Sequence, residues 1–157
     1  MRIKHQIIDF KPINPRICIL RMRGIFLNYS TVNGHAPTET NDEEEKDGFL
    51  DSLVTAYDIS PRNDIKIAFR DFNAQLGKKA VNFPTTGNYS LHNLTDDNGY
   101  WLKQFAVSWN IIIVSTFYPH KDIQKSTWRL PDGVTFNQMD HLLTDRWHKS
   151  NQMDVRS

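Results

Sequence analysis

The sequence is poor in the features that mark secreted and membrane proteins. It has one cysteine, Cys18, so no internal disulfide can form and a disulfide-stapled scaffold is excluded. Its longest aliphatic run, residues 111–114, is far shorter than the roughly 20 apolar residues of a membrane helix. The segment after Met1 has no apolar region typical of a signal peptide. We therefore expect an intracellular protein, nuclear or cytoplasmic, with no membrane segment.

Neither sign of charge dominates. The 157 residues include 19 Lys and Arg against 18 Asp and Glu, a net charge of +1, so the basic excess typical of nucleic-acid-binding domains is missing. Residues 38–58 are nonetheless rich in acids, as on a solvated helix face. The six histidines show no H-x-x-x-H or H-x-H spacing and no cysteine pair accompanies them, so a zinc site is not expected.

Hydrophobic periodicity predicts a mixed α/β fold in one domain, and the hydrophobic fraction of 39% is sufficient for a core. The predicted elements are, in chain order, a β-hairpin or two short strands over 17–32 divided at Gly24, a helix over 42–58, a strand over 64–70, a helix around 102–109, a central strand over 111–118, and a hairpin formed by 126–129 and 136–143. Residues 77–98 are rich in Gly, Pro and Asn and predict a loop.

The acidic segment predicts an amphipathic helix. Thr40 and Glu43 have the spacing of a capping box, in which each side chain satisfies a backbone donor at the helix start. Apolar residues then recur at helical spacing, namely Phe49, Leu50, Leu53, Val54 and Tyr57. We expect this apolar face to pack on the sheet and the acids to face water.

Asp71 and Asn73 lie two positions apart at the end of a predicted strand, where a period of two puts both side chains on one face. A carboxylate there can activate water or hold a divalent metal, and a carboxamide can donate to a phosphate oxygen. A polar turn that simply closes the strand explains the same pair. From these two residues alone, both interpretations stay open.

Thr127 and Asp140 flank the turn Pro131-Asp132-Gly133. If the hairpin turns there, these two residues face each other across its strands. They form either a plain cross-strand pair or a site in which a buried aspartate orients a catalytic histidine. His35 follows a predicted strand and precedes Ala36-Pro37, and by itself it signals no function.

Three motifs occur in the order found in the DNase-I-like endonuclease/exonuclease/phosphatase superfamily, and each resembles one of its strand ends. Residues 33–39 (NGHAPTE) resemble the N-V-[YH]-A-P strand end, residues 67–74 (IAFRDFNA) the GDFN strand end, and residues 126–128 (STW) with 137–141 (NQMDH) the threonine and the I-D-[YH] strand.

The wider sequence resembles the endonuclease domain of RTE-type non-LTR retrotransposons, which craniofacial development protein 2-like sequences share. The segments that carry this likeness are 42–47 (DEEEKD), 61–64 (PRND) and 131–138 (PDGVTFNQ). With the three motifs, the resemblance covers nearly the whole chain. It implies a DNase-I-like four-layer α/β sandwich.

The resemblance also implies magnesium-dependent hydrolysis of a phosphodiester, with DNA as the partner and no obligate protein partner. Asp71 would position or activate the attacking water, and Asn73 and Thr127 would bind the scissile phosphate. Asp140 would orient a histidine, and His35 stands where many members carry a phosphate-contacting tyrosine. Asp71 and Asn73 are the expected Mg²⁺-binding residues.

The sequence departs from the family pattern at three places. No residue before Asn33 matches the glutamate that is the family's principal metal ligand, and no Ser-Asp-His motif follows Asp140. Arg70 replaces the family's glycine beside Asp71, where it either contacts phosphate or reflects sequence drift. We therefore expect residues 1–157 to be a partial domain without the first strands and the C-terminal Ser-Asp-His strand, and to be impaired in catalysis. The alternatives are a non-catalytic remnant with at most weak nucleic-acid binding, or a phosphatase or ribonuclease of the same superfamily.

Overall fold

The computed structural model describes residues 6–78, 85–119, 125, 128–129 and 136–146. These residues form a mixed α/β structure, as predicted. The strands are β1 (Ile7–Asn14), β2 (Ile17–Met22), β3 (Tyr29–Gly34), β4 (Ile65–Asp71), β5 (Ile111–Ile113), β6 (Trp128–Arg129), β7 (Phe136–Asn137) and β8 (Asp140–Asp145). The helices are α1 (Glu43–Ile59), α2 (Asp97–Ser108) and a 3₁₀ turn at Val114–Thr116.

Six of the strands form one sheet in the order β1-β2-β3-β4-β8-β5, and β6 pairs with β7 separately. β3 and β4 are parallel, and the chain between them contains α1, which provides the crossover that parallel strands need. The other pairs are antiparallel. β8 comes last in the chain but lies between β4 and β5, so an interior position of the sheet is filled by a strand from the far end of the described chain.

The core lies between one face of this sheet and the two long helices. Residues that lie opposite one another across five strands form a buried row on this face, namely Ile19, Val32, Ala68, Leu143 and Ile113. Phe49, Leu53 and Tyr57 of α1 belong to the same hydrophobic cluster as Leu102 and Phe105 of α2. The packing face predicted for the first helix is thereby confirmed.

The start of α1 differs from the sequence prediction. Asp42, not Thr40, is the N-cap residue, and its Oδ1 accepts a hydrogen bond from the Glu45 N–H at 2.8 Å. Aspartate is at least as favourable an N-cap residue as threonine, and it adds a negative charge at the positive end of the helix dipole. Within the described residues, no helix is long and apolar enough to cross a membrane.

The central strand predicted over 111–118 was wrong. β5 spans Ile111–Ile113 only, and it lies at the end of the sheet before the chain tightens into the 3₁₀ turn. Its three isoleucines are nonetheless buried, because the segment at Thr85 and Thr86 lies along its outer side. The Ile113 N–H donates to the Thr85 carbonyl at 2.8 Å, and Thr86 forms a parallel bridge with Ile113. A covered edge strand therefore has the continuous apolar composition typical of a central one.

Candidate functional site

Three segments that carry the motif residues meet at one edge of the sheet. The parallel strands β3 and β4 both end there, β3 leading into His35 and β4 ending at Asp71. β8 is antiparallel to β4 and therefore begins at this edge, with Asp140. The structure thus brings His35, Asp71, Asn73 and Asp140 together. Thr127, the fifth predicted site residue, lies outside the described residues.

Asp71 and Asp140 lie directly opposite each other on β4 and β8. The sequence predicts that Asp140 faces Thr127 across a hairpin, either as a plain cross-strand pair or as a buried aspartate that orients a histidine. Instead it is exposed and pairs with Asp71, because the strand after Gln138 joins the main sheet, while the separate pair β6–β7 puts Trp128 opposite Asn137. Two carboxylates at directly opposed positions repel each other, so a cation between them would relieve the repulsion.

The Asp71 carboxylate is half-buried and held by local contacts. Its Oδ1 accepts a hydrogen bond from the Asn73 N–H at 2.9 Å, and its Oδ2 lies 3.9 Å from His35 Nδ1. Its backbone carbonyl accepts the Ala36 N–H at 2.9 Å, which ties the β3 and β4 ends together. The His35 side chain is 60% exposed, so its imidazole can meet an incoming ligand.

Asn73 holds the turn that follows Asp71. Its φ of 45° lies in the left-handed region, which asparagine tolerates better than most residues. Its Nδ2 donates to the Ala36 carbonyl at 2.7 Å. One amide hydrogen is therefore used inside the protein, while the second hydrogen and the Oδ1 atom make no hydrogen bond to the described residues. The carboxamide can still donate to a phosphate oxygen or offer its oxygen to a cation.

The backbone conformation at Arg70 is one that favours glycine. Its φ is 123°, a conformation that residues with a Cβ atom rarely adopt and glycine adopts readily. The Arg70 side chain is exposed, beside the site. The backbone conformation itself therefore favours glycine at this position.

Asn98 is a site-supporting residue that the sequence reasoning missed. It is fully buried at the start of α2, and its Nδ2 donates to the Pro37 carbonyl at 3.1 Å and to the Asn73 carbonyl at 2.9 Å. Its Oδ1 accepts the Trp101 Nε1–H at 2.9 Å. Asn98 therefore joins both site loops to α2. The sequence signal for a helix start beside Asn98 is Asp96, which lies in the predicted loop over 77–98. Asp96 is the N-cap residue of α2, and its Oδ1 accepts a hydrogen bond from the Gly99 N–H at 2.7 Å.

His141, next to Asp140, points into the protein and away from solvent. Its Nε2 lies 2.8 Å from the Ala74 carbonyl, which can only accept, so Nε2 carries the hydrogen and Nδ1 accepts from the Ser115 hydroxyl at 2.9 Å. Burial lowers the pKa of His141 to about 4, which keeps the ring neutral near pH 7. His141 therefore supports the chain after Asn73, and both of its nitrogens are already engaged.

Comparison with curated proteins finds two relatives of the same name, while no family model matches the chain. Craniofacial development protein 2 from Bos taurus is 27% identical over 152 residues, and the protein of that name from Tragulus javanicus is 28% identical over 152 residues. Both alignments cover 96% of this chain but only 25% and 26% of the relatives. The chain therefore spans about a quarter of the length of the curated relatives that it matches.

Three solved structures share the fold at low sequence identity. The endonuclease domain of TRAS1, a telomere-specific non-LTR retrotransposon, has a TM-score of 0.55 and 12% identity, over 86% of this chain and 52% of that one. A humanized D. rerio TDP2 has a TM-score of 0.54 and 10% identity, over 89% of this chain and 51% of that one. An endonuclease/exonuclease/phosphatase family protein from Leptotrichia buccalis has a TM-score of 0.50 and 12% identity, over 83% of this chain and 42% of that one. The resemblance seen in the sequence is thus confirmed: the chain has the fold of the endonuclease/exonuclease/phosphatase superfamily and spans about half the length of these structures.

Proposed function

We propose that the chain carries part of a metal-dependent phosphodiesterase site, which binds DNA in the nucleus or cytoplasm. The observation that supports this most strongly is the meeting of His35, Asp71, Asn73 and Asp140 at one sheet edge. These four residues come from motifs that are distant in sequence. A turn that merely closes a strand would not require their convergence.

The residues at this edge fit a divalent cation such as Mg²⁺. Asp71 and Asp140 offer carboxylate oxygens from opposed positions, and Asn73 offers Oδ1. Magnesium usually takes one or two protein carboxylates and keeps several waters, so this donor set is sufficient for weak binding. When bound, the cation would neutralise charge that develops on the phosphate and on the leaving oxygen.

The chain's own residues would hold the phosphate. The free amide hydrogen of Asn73 would donate to a phosphate oxygen, and a ring N–H of His35, near the Asp71 carboxylate, would donate to the phosphate as well. Asp71 would accept a hydrogen bond from the attacking water and so orient it. By analogy with the family, Thr127 would add a second phosphate contact.

We further propose that residues 1–157 are a partial domain that is impaired in catalysis. The sequence has no counterpart of the family's metal-binding glutamate or its Ser-Asp-His histidine. His141 is no substitute, because it is buried and both ring nitrogens are engaged. Groups that act as a unit in catalysis lose nearly all activity when key members are missing, so we expect DNA binding without measurable hydrolysis.

The test measures binding and nicking in parallel with the purified chain. Anisotropy of a labelled DNA duplex should report weak, salt-sensitive binding that strengthens with Mg²⁺ and weakens in Asn73→Ala, while supercoiled plasmid stays intact. The matched control is Asn63→Ala, an exposed asparagine at the opposite end of β4. Nicking by the wild-type chain and not by an Asp71→Asn, Asp140→Asn double variant would refute the impairment. Equal binding by wild type and Asn73→Ala, with or without Mg²⁺, would refute the site.

A further inference from the structure

β1 forms an open edge of the sheet. Among the described residues, nothing pairs with its outer side, and six of its eight residues are exposed. Phe10 is 58% exposed and Ile8 is 40% exposed, although both are large and apolar. An exposed apolar edge strand is a template on which another strand can pair.

The backbone of Phe10 points its hydrogen-bonding groups away from the sheet. The Leu20 carbonyl accepts a hydrogen bond from Thr31 Oγ1 at 2.8 Å, so the polar groups of Leu20 point toward β3. Leu20 lies opposite Phe10, and in an antiparallel ladder both residues of such a pair point their polar groups away from each other. Phe10 therefore offers one N–H donor and one carbonyl acceptor to the outside. Pro12 shares this orientation but has no N–H, so the available ladder is short.

The charges of β1 are self-complementary around Phe10. Asp9 and Lys11 flank it. Neither forms an ion pair within 4.0 Å among the described residues, although Asp9 lies opposite Arg21 of its own sheet and attracts it electrostatically. If a second β1 runs antiparallel with Phe10 opposite Phe10, each Asp9 faces a Lys11 of the second copy. If the second strand slips by two residues, which keeps the same backbone groups facing each other, the charges no longer match. A slip in one direction puts Asp9 opposite Asp9, and a slip in the other puts Lys11 opposite Lys11. Like charges at directly opposed positions are destabilising, so the pattern selects the central register.

We propose that a second copy of this chain pairs with β1 through a two-fold axis at Phe10. The two Phe10 residues exchange both backbone hydrogen bonds, and two Asp9–Lys11 pairs flank them. The Phe10 rings meet on the face of the sheet that carries Leu20, opposite the helices. A two-fold axis uses the same surface on both copies, as this pattern requires. The interaction is independent of the phosphodiesterase site, because that site lies elsewhere on the sheet, at the ends of β3 and β4 and the start of β8.

Charge exchange at Asp9 and Lys11 tests the proposal. Wild type should be dimeric at about 200 μM in analytical ultracentrifugation, as for a weak complex. Asp9→Lys and Lys11→Asp should each raise the dimer Kd about tenfold or more, since each makes two repulsive pairs. The double variant Asp9→Lys, Lys11→Asp restores both charge pairs between the copies and should bind more tightly than either single variant, although its lysine at position 9 then lies opposite Arg21 of its own chain. Asp51→Lys, an equal charge change on the exposed side of α1, should leave the Kd unchanged.

Hydrogen exchange provides a second measurement that does not depend on any variant. The Phe10 amide points outward and should be protected at high concentration and exchange freely on dilution. The Lys11 amide points toward β2 and should be protected at both concentrations. A monomeric wild type, a double variant no better than the single ones, or a Phe10 amide indifferent to concentration would overturn the proposal. A Kd that Asp51→Lys raises as much as Asp9→Lys would overturn it too.

Discussion

Replacement of Arg70 by glycine should stabilise the protein, although most substitutions within a strand destabilise. Arg70 has a φ of 123°, and a residue with a Cβ atom in such a sparsely populated region costs about 1–3 kcal/mol. Glycine removes this cost but gives the unfolded chain more freedom, which offsets about 0.5–1 kcal/mol. The expected net gain in the free energy of unfolding is therefore about 1 kcal/mol. For a chain of this length, that raises Tm by about 2–4 °C.

Two variants separate the backbone effect from the loss of the side chain. Arg70→Gly and Arg70→Ala both remove the guanidinium group, but only glycine removes the Cβ atom that makes a positive φ unfavourable. Urea unfolding followed by circular dichroism gives the free energy for each. Arg70→Gly should be more stable than wild type and Arg70→Ala should not. If both variants gain the same stability, removal of the charge and not the backbone conformation is responsible. If Arg70→Gly is less stable than wild type, the strain argument fails.

Three further predictions follow from buried residues. Leu53→Ala should cost about 2–5 kcal/mol in urea unfolding because Leu53 is fully buried, whereas Leu94→Ala, at an 82% exposed position, should cost little; equal effects would contradict the packing of α1. The lowered pKa of His141, about 4 against the ordinary 6.5, means that the unfolded chain binds the proton first as pH falls. Stability should therefore be full above pH 6.5 and fall by on the order of 3 kcal/mol toward pH 4, and His141→Gln should reduce this slope. His92, whose pKa burial also lowers, adds to the slope in the same direction. Asn98→Ala should cost about 2 kcal/mol or more, because it leaves the Pro37 and Asn73 carbonyls without their donor, and amide exchange at Ala36 and Asn73 should accelerate; unchanged exchange would show that Asn98 does not hold the loops.

The sequence predicted those helices and strands that follow from the spacing of neighbouring apolar residues. α1 follows from apolar spacing around Leu53, and β4 follows from alternation between Ile65 and Phe69. β1 was not predicted, because its exposed residues have no buried face to produce a pattern. β5 was placed in the centre of the sheet because its burial depends on Thr85 and Thr86, which its own residues do not reveal.

The site shows the same division. Asp71 and Asn73 were recognised from one short motif, and His35 from its place in another. The exposure of Asp140 and its position opposite Asp71 depend on β8 pairing with β4, which the turn chemistry around Gly133 did not indicate. The positive φ of Arg70 and the support from Asn98 arise from contacts between distant segments, so a single sequence does not reveal them.

The position of β8 between β4 and β5 has a consequence for how the protein folds. Contacts between β8 and β4 join residues far apart in the chain, as in the bond from Thr144 Oγ1 to the Lys66 carbonyl across 78 positions. Closing so long a loop loses chain entropy before native contacts compensate, so this pairing is intrinsically slow. β1, β2 and β3 are neighbours in sequence and can form first. Asp71 and Asp140 therefore meet only in a late step, when β8 joins β4.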